Sequence, residues 1–285
     1  MNSANLMRSL LFVPGSSPER FTKAENCGAD IFCIDLEDSV ASGDKDQARV
    51  AALEFIINRN LHKSGQARPY CFLRINGLTT ADGLKDLLAL AELADTHTLP
   101  DGLVLPMVNS TFEIRQVVNI LGRYPGLNIM PLIENPEGLE NIRAIVRESD
   151  CVSAIGFGFA DFAATVGSDM SWDALLSARN GIIAAASTRR IHCFDGPWFE
   201  IRDQDGLREE AAKVSRLGFK GKMAIHPSQV PCINETFVPS VKEIAWAREV
   251  ITVFNESESG VVSINGMMVD KPVIDQAKRI LGQLQ

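Results

Sequence analysis

Short apolar runs alternate along this chain with stretches whose apolar residues recur at helical spacing. The runs are Ser9–Val13, Ile31–Asp35, Tyr70–Ile75, Gly102–Pro106, Asn128–Glu134, Val152–Gly156, Arg190–Phe194 and Met223–His226. Between them, Lys45–Asn60 sets Ala48, Ala51, Ala52, Phe55 and Ile56 on one face, and Asp82–Ala94 does the same with Leu84, Leu87, Leu88 and Ala91. An eightfold strand–helix alternation of this kind predicts an α/β chain closed into a (β/α)8 TIM barrel, whose strand ends converge on one face. Those positions supply Asp35, Glu37, Asp38, Arg74, Glu134, Asp161, Asp195 and His226, a ring of carboxylates around one arginine.

Two connections depart from the minimal pattern. Phe162–Ser171 reads as an insertion before the Ala-rich helix Trp172–Ser187. Gly196–Gly206 reads as a large loop, which Trp198 and Phe199 mark as ordered rather than free. Residues 1–239 are expected to form the catalytic barrel. Residues 240–285 read as an extension: a helix (Val241–Phe254), a turn (Asn255–Gly260), a short apolar segment (Val261–Val269) and a final helix (Val273–Leu284). Such an extension is a packing element, or a lid or arm reaching a neighbouring subunit.

Composition narrows the function classes. The chain has 285 residues, 46% hydrophobic, enough for one large core, and a barrel takes about 250. A net charge of −8 argues against a nucleic-acid partner but leaves room for an anionic small molecule held by a few local cations. The first apolar run, Leu10–Val13, is too short for a secretion signal or a membrane span, so the expectation is a cytoplasmic chain with no membrane partner. The six cysteines form no CxxC pair, and reduced thiols are expected.

Glu134 and Asp161 follow the fifth and sixth runs, so both carboxylates fall at one rim position. Two hard oxygen ligands with water and substrate completing the shell suit Mg²⁺; capping of the following helices is the competing reading. Arg74, near the end of a buried strand, needs an anionic partner. That partner is Glu37 or Asp38, a bidentate substrate carboxylate, or both. A guanidinium that never deprotonates serves as a charge stabiliser, not a base. The crowded carboxylates of Asp35-Leu36-Glu37-Asp38 themselves call for a nearby cation. Neither Gly156-Phe157-Gly158 nor Gly218-Phe219-Lys220-Gly221-Lys222 has the spacing of a phosphate-binding loop. His226 could serve as an acid/base, yet one histidine at a strand end is more often a hydrogen-bonded structural residue.

Several strings together resemble the citrate lyase β-subunit-like group of the HpcH/HpaI aldolase superfamily. They are Arg8-Ser-Leu-Leu-Phe-Val-Pro-Gly15, Ile34-Asp-Leu-Glu-Asp-Ser-Val40, Leu73-Arg-Ile-Asn76, Leu132-Ile-Glu134, Gly158-Phe-Ala-Asp161, Gly218-Phe-Lys-Gly-Lys-Met-Ala-Ile-His-Pro-Ser-Gln229 and Asn265-Gly-Met-Met-Val-Asp270. The resemblance implies a Mg²⁺-dependent barrel that cleaves a C–C bond beside a CoA thioester, releasing acetyl-CoA and a 2-oxo acid. It implies metal ligation by Glu134 and Asp161, and substrate contact by Arg74, Pro14 and Asn76. Glu37 and Asp38 would orient Arg74 and metal-bound water, and Asp270 would come from a C-terminal lid, often that of a neighbouring subunit. A trimer or hexamer of identical chains is implied, and no Schiff-base lysine, which suits the lack of an obvious lysine at the strand ends.

One departure stands out: where the family commonly has Lys after the fourth-strand proline, this chain has Met107. Citramalyl-CoA is the preferred substrate on this reading, with malyl-CoA and citryl-CoA next. A citrate lyase β subunit working on an acyl-carrier-protein thioester is the alternative, followed by a malate-synthase-like thioesterase and a non-catalytic barrel subunit.

Overall fold

The computed structural model describes residues 7–61, 68–94, 99–122, 124, 126–256, 262–264 and 267–282. By its contacts the chain divides into two compact units, with the break between Asn234 and Glu235.

The first unit follows the predicted alternation. Its elements in order are β1 (Ser9–Pro14), α1 (Phe21–Glu25), β2 (Ile31–Asp35), α2 (Lys45–Leu61), β3 (Tyr70–Arg74), α3 (Ala81–Ala94), β4 (Gly102–Leu105), α4 (Thr111–Leu121), β5 (Ile129–Ile133), α5 (Pro136–Ile145), β6 (Ala154–Phe157), α6 (Phe159–Val166), α7 (Trp172–Ser187), β7 (His192–Asp195), α8 (Gln204–Leu217), β8 (Gly221–Ala224) and α9 (Val230–Thr236). Strands β1 to β8 pair in parallel in chain order, and β8 pairs with β1, so the barrel is closed. The segment expected as an insertion after the sixth strand holds the C-terminal part of α6, and α8 begins at Gln204, inside the expected Gly196–Gly206 loop.

Side-chain alternation sorts each strand into two layers. Leu10, Ile31, Cys33, Phe72, Val104, Met130, Leu132, Ala154, Phe194 and Met223 fill the barrel interior. Extending that phase by two residues at the C-terminal ends turns Phe12, Asp35, Arg74, Glu134 and Gly158 inward. The alternate residues of β7 and β8, Cys193, Asp195 and Lys222, face the helix layer. Small residues admit large neighbours in the interior: a Cβ at Gly156 would lie 2.4 Å from Met223 Cε and 2.5 Å from Leu132 Cδ2.

The second unit consists of α10 (Val241–Glu256), a two-stranded antiparallel sheet of β9 (Val262–Ile264) and β10 (Met267–Val269), and α11 (Lys271–Gly282). Ala247, Val250, Ile264, Val269, Ile274 and Ala277 form its own small core. The expected turn at 255–260 and the motif residues Asn265 and Gly266 fall wholly or partly outside the described residues. Among the described residues no helix is long and apolar enough to cross a membrane, and all six cysteines are unpaired.

Candidate active site

Arg74 ends β3, and its in-register neighbour on β2 is Asp35. The two side chains form a bidentate pair: Nε donates to Asp35 Oδ1 at 2.6 Å and Nη2 to Oδ2 at 2.7 Å. The remaining nitrogen, Nη1, lies 2.8 Å from Glu37 Oε2 and 3.5 Å from Asp38 Oδ2. The guanidinium also lies over the Phe12 ring, 4.8 Å from its centre. Three carboxylates and an aromatic face therefore fix one cation from three strand ends. Burial works against the charges of both partners, yet each holds the other ionised. Asp35 stays below the usual carboxylate range despite its burial, because Arg74 and the backbone amides of Glu37 and Ser39 favour its anion, and Arg74 is held above the ordinary arginine range.

Asp35 thus joins Glu37 and Asp38 in holding Arg74. The signal for it was the strand phase, which puts Asp35 and Arg74 side by side on the inner face. Lys45, at the start of α2, also escaped sequence reasoning. Its Nζ donates to the carbonyls of Leu36 and Glu37, both at 3.0 Å, and to Asn76 Oδ1 at 2.5 Å, tying the carboxylate loop to the end of β3. Asn76 is held through that oxygen and through two donors. Its amide and backbone N–H donate to Asp86 at 2.7 and 2.8 Å, so the structure shows it bracing a loop. Pro14 continues the inward phase of Leu10 and Phe12 at the end of β1.

Glu134 follows β5 and is 3% exposed. Its Oε2 accepts the backbone N–H of Met107 at 2.6 Å. Met107 adopts φ 51, in the left-handed region, which turns its peptide toward the carboxylate. On the other side Gly158 lets the Glu134 side chain pass: a Cβ there would lie 2.3 Å from Oε1. Asp161 stands in the first turn of α6, three residues after that glycine, not at a strand end. Burial pushes Glu134 up to about 8, with the charges of Glu37 and Asp161 adding to it; burial and the charge of Asp38 raise Asp161 as well. Glu37 is pushed up to about 7, by burial first and by Asp38 and Asp35 beyond it.

Two predicted rim residues lie elsewhere. Asp195 faces the helix layer, since Phe194 occupies the inward phase of β7. It pairs there with Arg179 of α7 and with Lys222 of β8. Lys222, the second residue of β8 and not a strand-end residue, is fully buried among carboxylates outside the barrel. His226 caps the short turn Pro227–Gln229: its Nδ1 accepts from Ser228 N at 3.1 Å and lies 2.7 Å from Ser228 Oγ.

The donor set fits a hard divalent cation. Asp35, Glu37, Asp38, Glu134 and Asp161 face a single guanidinium, which leaves excess negative charge at the rim. Raised carboxyl groups without a cationic partner of their own are the electrostatic mark of such a deficit. Among the described residues no group of three His, Cys, Asp or Glu encloses a metal. Glu134 and Asp161 would therefore hold an ion by two carboxylates with the remaining positions open, the usual arrangement for Mg²⁺.

The sequence profile of the HpcH/HpaI aldolase/citrate lyase family matches residues 8–227. The chain belongs to that family. Among family relatives, it is 33% identical over 307 residues to an L-malyl-CoA/β-methylmalyl-CoA lyase of Cereibacter sphaeroides, covering 98% of this chain and 94% of the relative. It is 29% identical over 294 residues to the mitochondrial citramalyl-CoA lyase of Mus musculus, covering 96% and 85%. The crystal structure of the protein CitE from Mycobacterium tuberculosis in complex with magnesium, acetoacetate and coenzyme A superposes with a TM-score of 0.81, at 30% identity over 98% of this chain and 99% of that one. The matches to the Cereibacter relative and to CitE each cover 98% of this chain, so they take in the barrel and the C-terminal unit alike.

Proposed function

We propose that the chain is a Mg²⁺-dependent carbon–carbon lyase that cleaves a 3-hydroxyacyl-CoA thioester into acetyl-CoA and a 2-oxo acid, with citramalyl-CoA as its substrate. One observation carries the reading: a guanidinium, fixed by Asp35, Glu37 and Asp38, lies within electrostatic reach of the carboxylates of Glu134 and Asp161. Family membership, the lyases among the relatives, and the magnesium and coenzyme A of the CitE complex support it.

Cleavage removes the proton of the 3-hydroxyl, breaks the C2–C3 bond, and leaves the electron pair on the thioester as an enolate. Protonation at carbon then gives acetyl-CoA, and the hydroxylated carbon departs as the ketone of the oxo acid. Glu134 and Asp161 would hold the magnesium ion, which would supply positive charge beside the departing oxo acid. Arg74 stabilises negative charge as it develops, and does so without reorganising, because Asp35, Glu37 and Phe12 already hold it in place. Glu37 and Asp38 keep its third nitrogen aimed at the site. Asp270, the residue before α11, enters through its motif alone and is assigned to the site of a neighbouring subunit in a homo-oligomer.

Purified protein should release acetyl-CoA from (S)-citramalyl-CoA in the presence of Mg²⁺. EDTA should stop the release and excess Mg²⁺ restore it, and Glu134→Gln or Asp161→Asn should behave as EDTA does. Full turnover in both variants would remove the metal assignment. Faster release from malyl-CoA or citryl-CoA would change the acyl group only, and free CoA formed from acetyl-CoA and glyoxylate would favour the synthetic direction.

A further inference from the structure

Behind the site, in the layer between strands and helices, three buried charged side chains meet a fourth, Glu210, that is partly exposed. Asp195 and Lys222 face each other in register on β7 and β8, and both are 0% exposed. Arg179 of α7, also 0% exposed, donates Nε and Nη2 to the two oxygens of Asp195 at 2.9 and 3.2 Å. Lys222 Nζ bridges Asp195 at 2.9 Å and Glu210 of α8 at 2.7 Å, and Arg179 Nη2 lies 3.8 Å from Glu210. Two cations and two anions balance, yet burying such a set is costly, and well-packed apolar residues commonly serve stability as well or better. Stability alone is a weak reason for the quartet.

Its cations point to another role. The Arg179 guanidinium lies 4.7 Å from the Trp172 ring centre and 5.4 Å from that of Phe159, while its Nη1 is buried with no hydrogen-bond acceptor. Lys222 Nζ lies 5.9 Å from the same Phe159 ring. Phe159 therefore meets two buried cations on its π system. It also stacks edge-on with Phe199 at 5.7 Å, and the Gly196 backbone presses on it, where a Cβ would lie 2.5 Å from Phe159 Cδ1. Phe159 opens α6. Its chain neighbour Gly158 is the residue against which Glu134 Oε1 rests, and Asp161 follows two residues later.

We propose that Arg179, Asp195, Glu210 and Lys222, acting through Phe159, are positioning residues that set how Asp161 is presented to Glu134 and hence how tightly a divalent ion is held. The proposal rests on the reading that Glu134 and Asp161 are metal ligands. It assigns the quartet no contact with substrate.

The test is direct titration of the metal-free protein with Mn²⁺, following free ion by electron paramagnetic resonance, with melting temperature recorded on the same samples. Phe159→Leu and Lys222→Met should each raise the Mn²⁺ dissociation constant about 10- to 100-fold, the range seen when outer supports of metal ligands are removed. Phe159→Tyr, which keeps the aromatic face, should stay near the wild-type value. Val250→Ala, in the core of the C-terminal unit, should lower the melting temperature and leave Mn²⁺ affinity unchanged. Should Lys222→Met fail to fold, Phe159→Leu carries the decision alone. If Phe159→Leu binds Mn²⁺ as wild type does while Glu134→Gln loses binding, the quartet has no positioning role. Wild-type protein that binds no Mn²⁺ would remove the metal site, and this proposal with it.

Discussion

Arg74 uses all three of its nitrogens on Asp35, Glu37 and Asp38, and that saturation makes its replacement by lysine costly. An ammonium is a single point of charge and cannot span both oxygens of Asp35 while facing Glu37. Arg74→Lys should lower kcat by about 10²–10³, the usual loss when one donor to a developing negative charge is misplaced, as read from acetyl-CoA release. Glu134 carries a pH signature. Its carboxyl is pushed up to about 8 from an ordinary 4.5, so between those values the folded, metal-free protein keeps a proton that the unfolded chain has released. That stabilisation is complete at low pH and is lost as pH rises through about 8. Differential scanning fluorimetry without metal should show the melting temperature falling from pH 6 to pH 9. The fall should be smaller in Glu134→Gln, where Glu37, pushed up to about 7, supplies what remains. Saturating Mg²⁺ should reverse the trend by taking the proton's place. An unchanged slope in Glu134→Gln would show that Glu134 is not the titrating group. Arg74 and Glu134 were legible in the sequence because each closes an apolar run with an unlike residue, whereas Asp161, expected at the same rim position, stands in the first turn of α6. The dominance of Asp35 over Glu37 was not legible, since three adjacent carboxylates look alike until strand phase singles out one.

At the level of elements, the barrel was readable and its polar faults were not. Apolar runs gave eight strands in order, but Lys222 made the eighth look as if it began at Met223, whereas β8 runs Gly221–Ala224. A lysine inside a strand reads as a break until Asp195 and Glu210 are known to neutralise it. Asp195 was counted at the rim for the related reason that a strand end alone does not say which layer a side chain enters. The stretch Phe162–Ser171 read as an insertion because α6 is only eight residues long, Phe159–Val166, too short to display a helical stripe. The β2–α2 loop shows how an element serves the site from outside it. Removing the Lys45 ammonium takes one donor from each of the Leu36 and Glu37 carbonyls and frees Asn76 Oδ1. Lys45→Met should cost about 1–3 kcal/mol in urea unfolding and reduce kcat, because the loop that carries Glu37 then loses its tie to the end of β3. Unchanged kcat at reduced stability would limit Lys45 to holding the fold.

For the whole molecule, the division into a barrel and a C-terminal unit makes the assignment of Asp270 testable without further coordinates. Asp270→Asn and Arg74→Ala chains should each be inactive alone. Co-expressed with different affinity tags and recovered as mixed oligomers, they should regain part of the wild-type turnover through sites built from one intact copy of each residue. No recovery in verified mixtures would leave Asp270 without a role in a neighbour's site. The closed sheet has a further property that follows from where its charges fall. Asp35 meets Arg74 across one seam on the inner wall, and Asp195 meets Lys222 across another on the outer wall. Sliding any of these four staves by one residue would drive an ion into an oily layer and strand its counter-ion. The two pairs work as dowels, one inside and one outside, so the shear of the cylinder is pinned by chemistry as well as by shape.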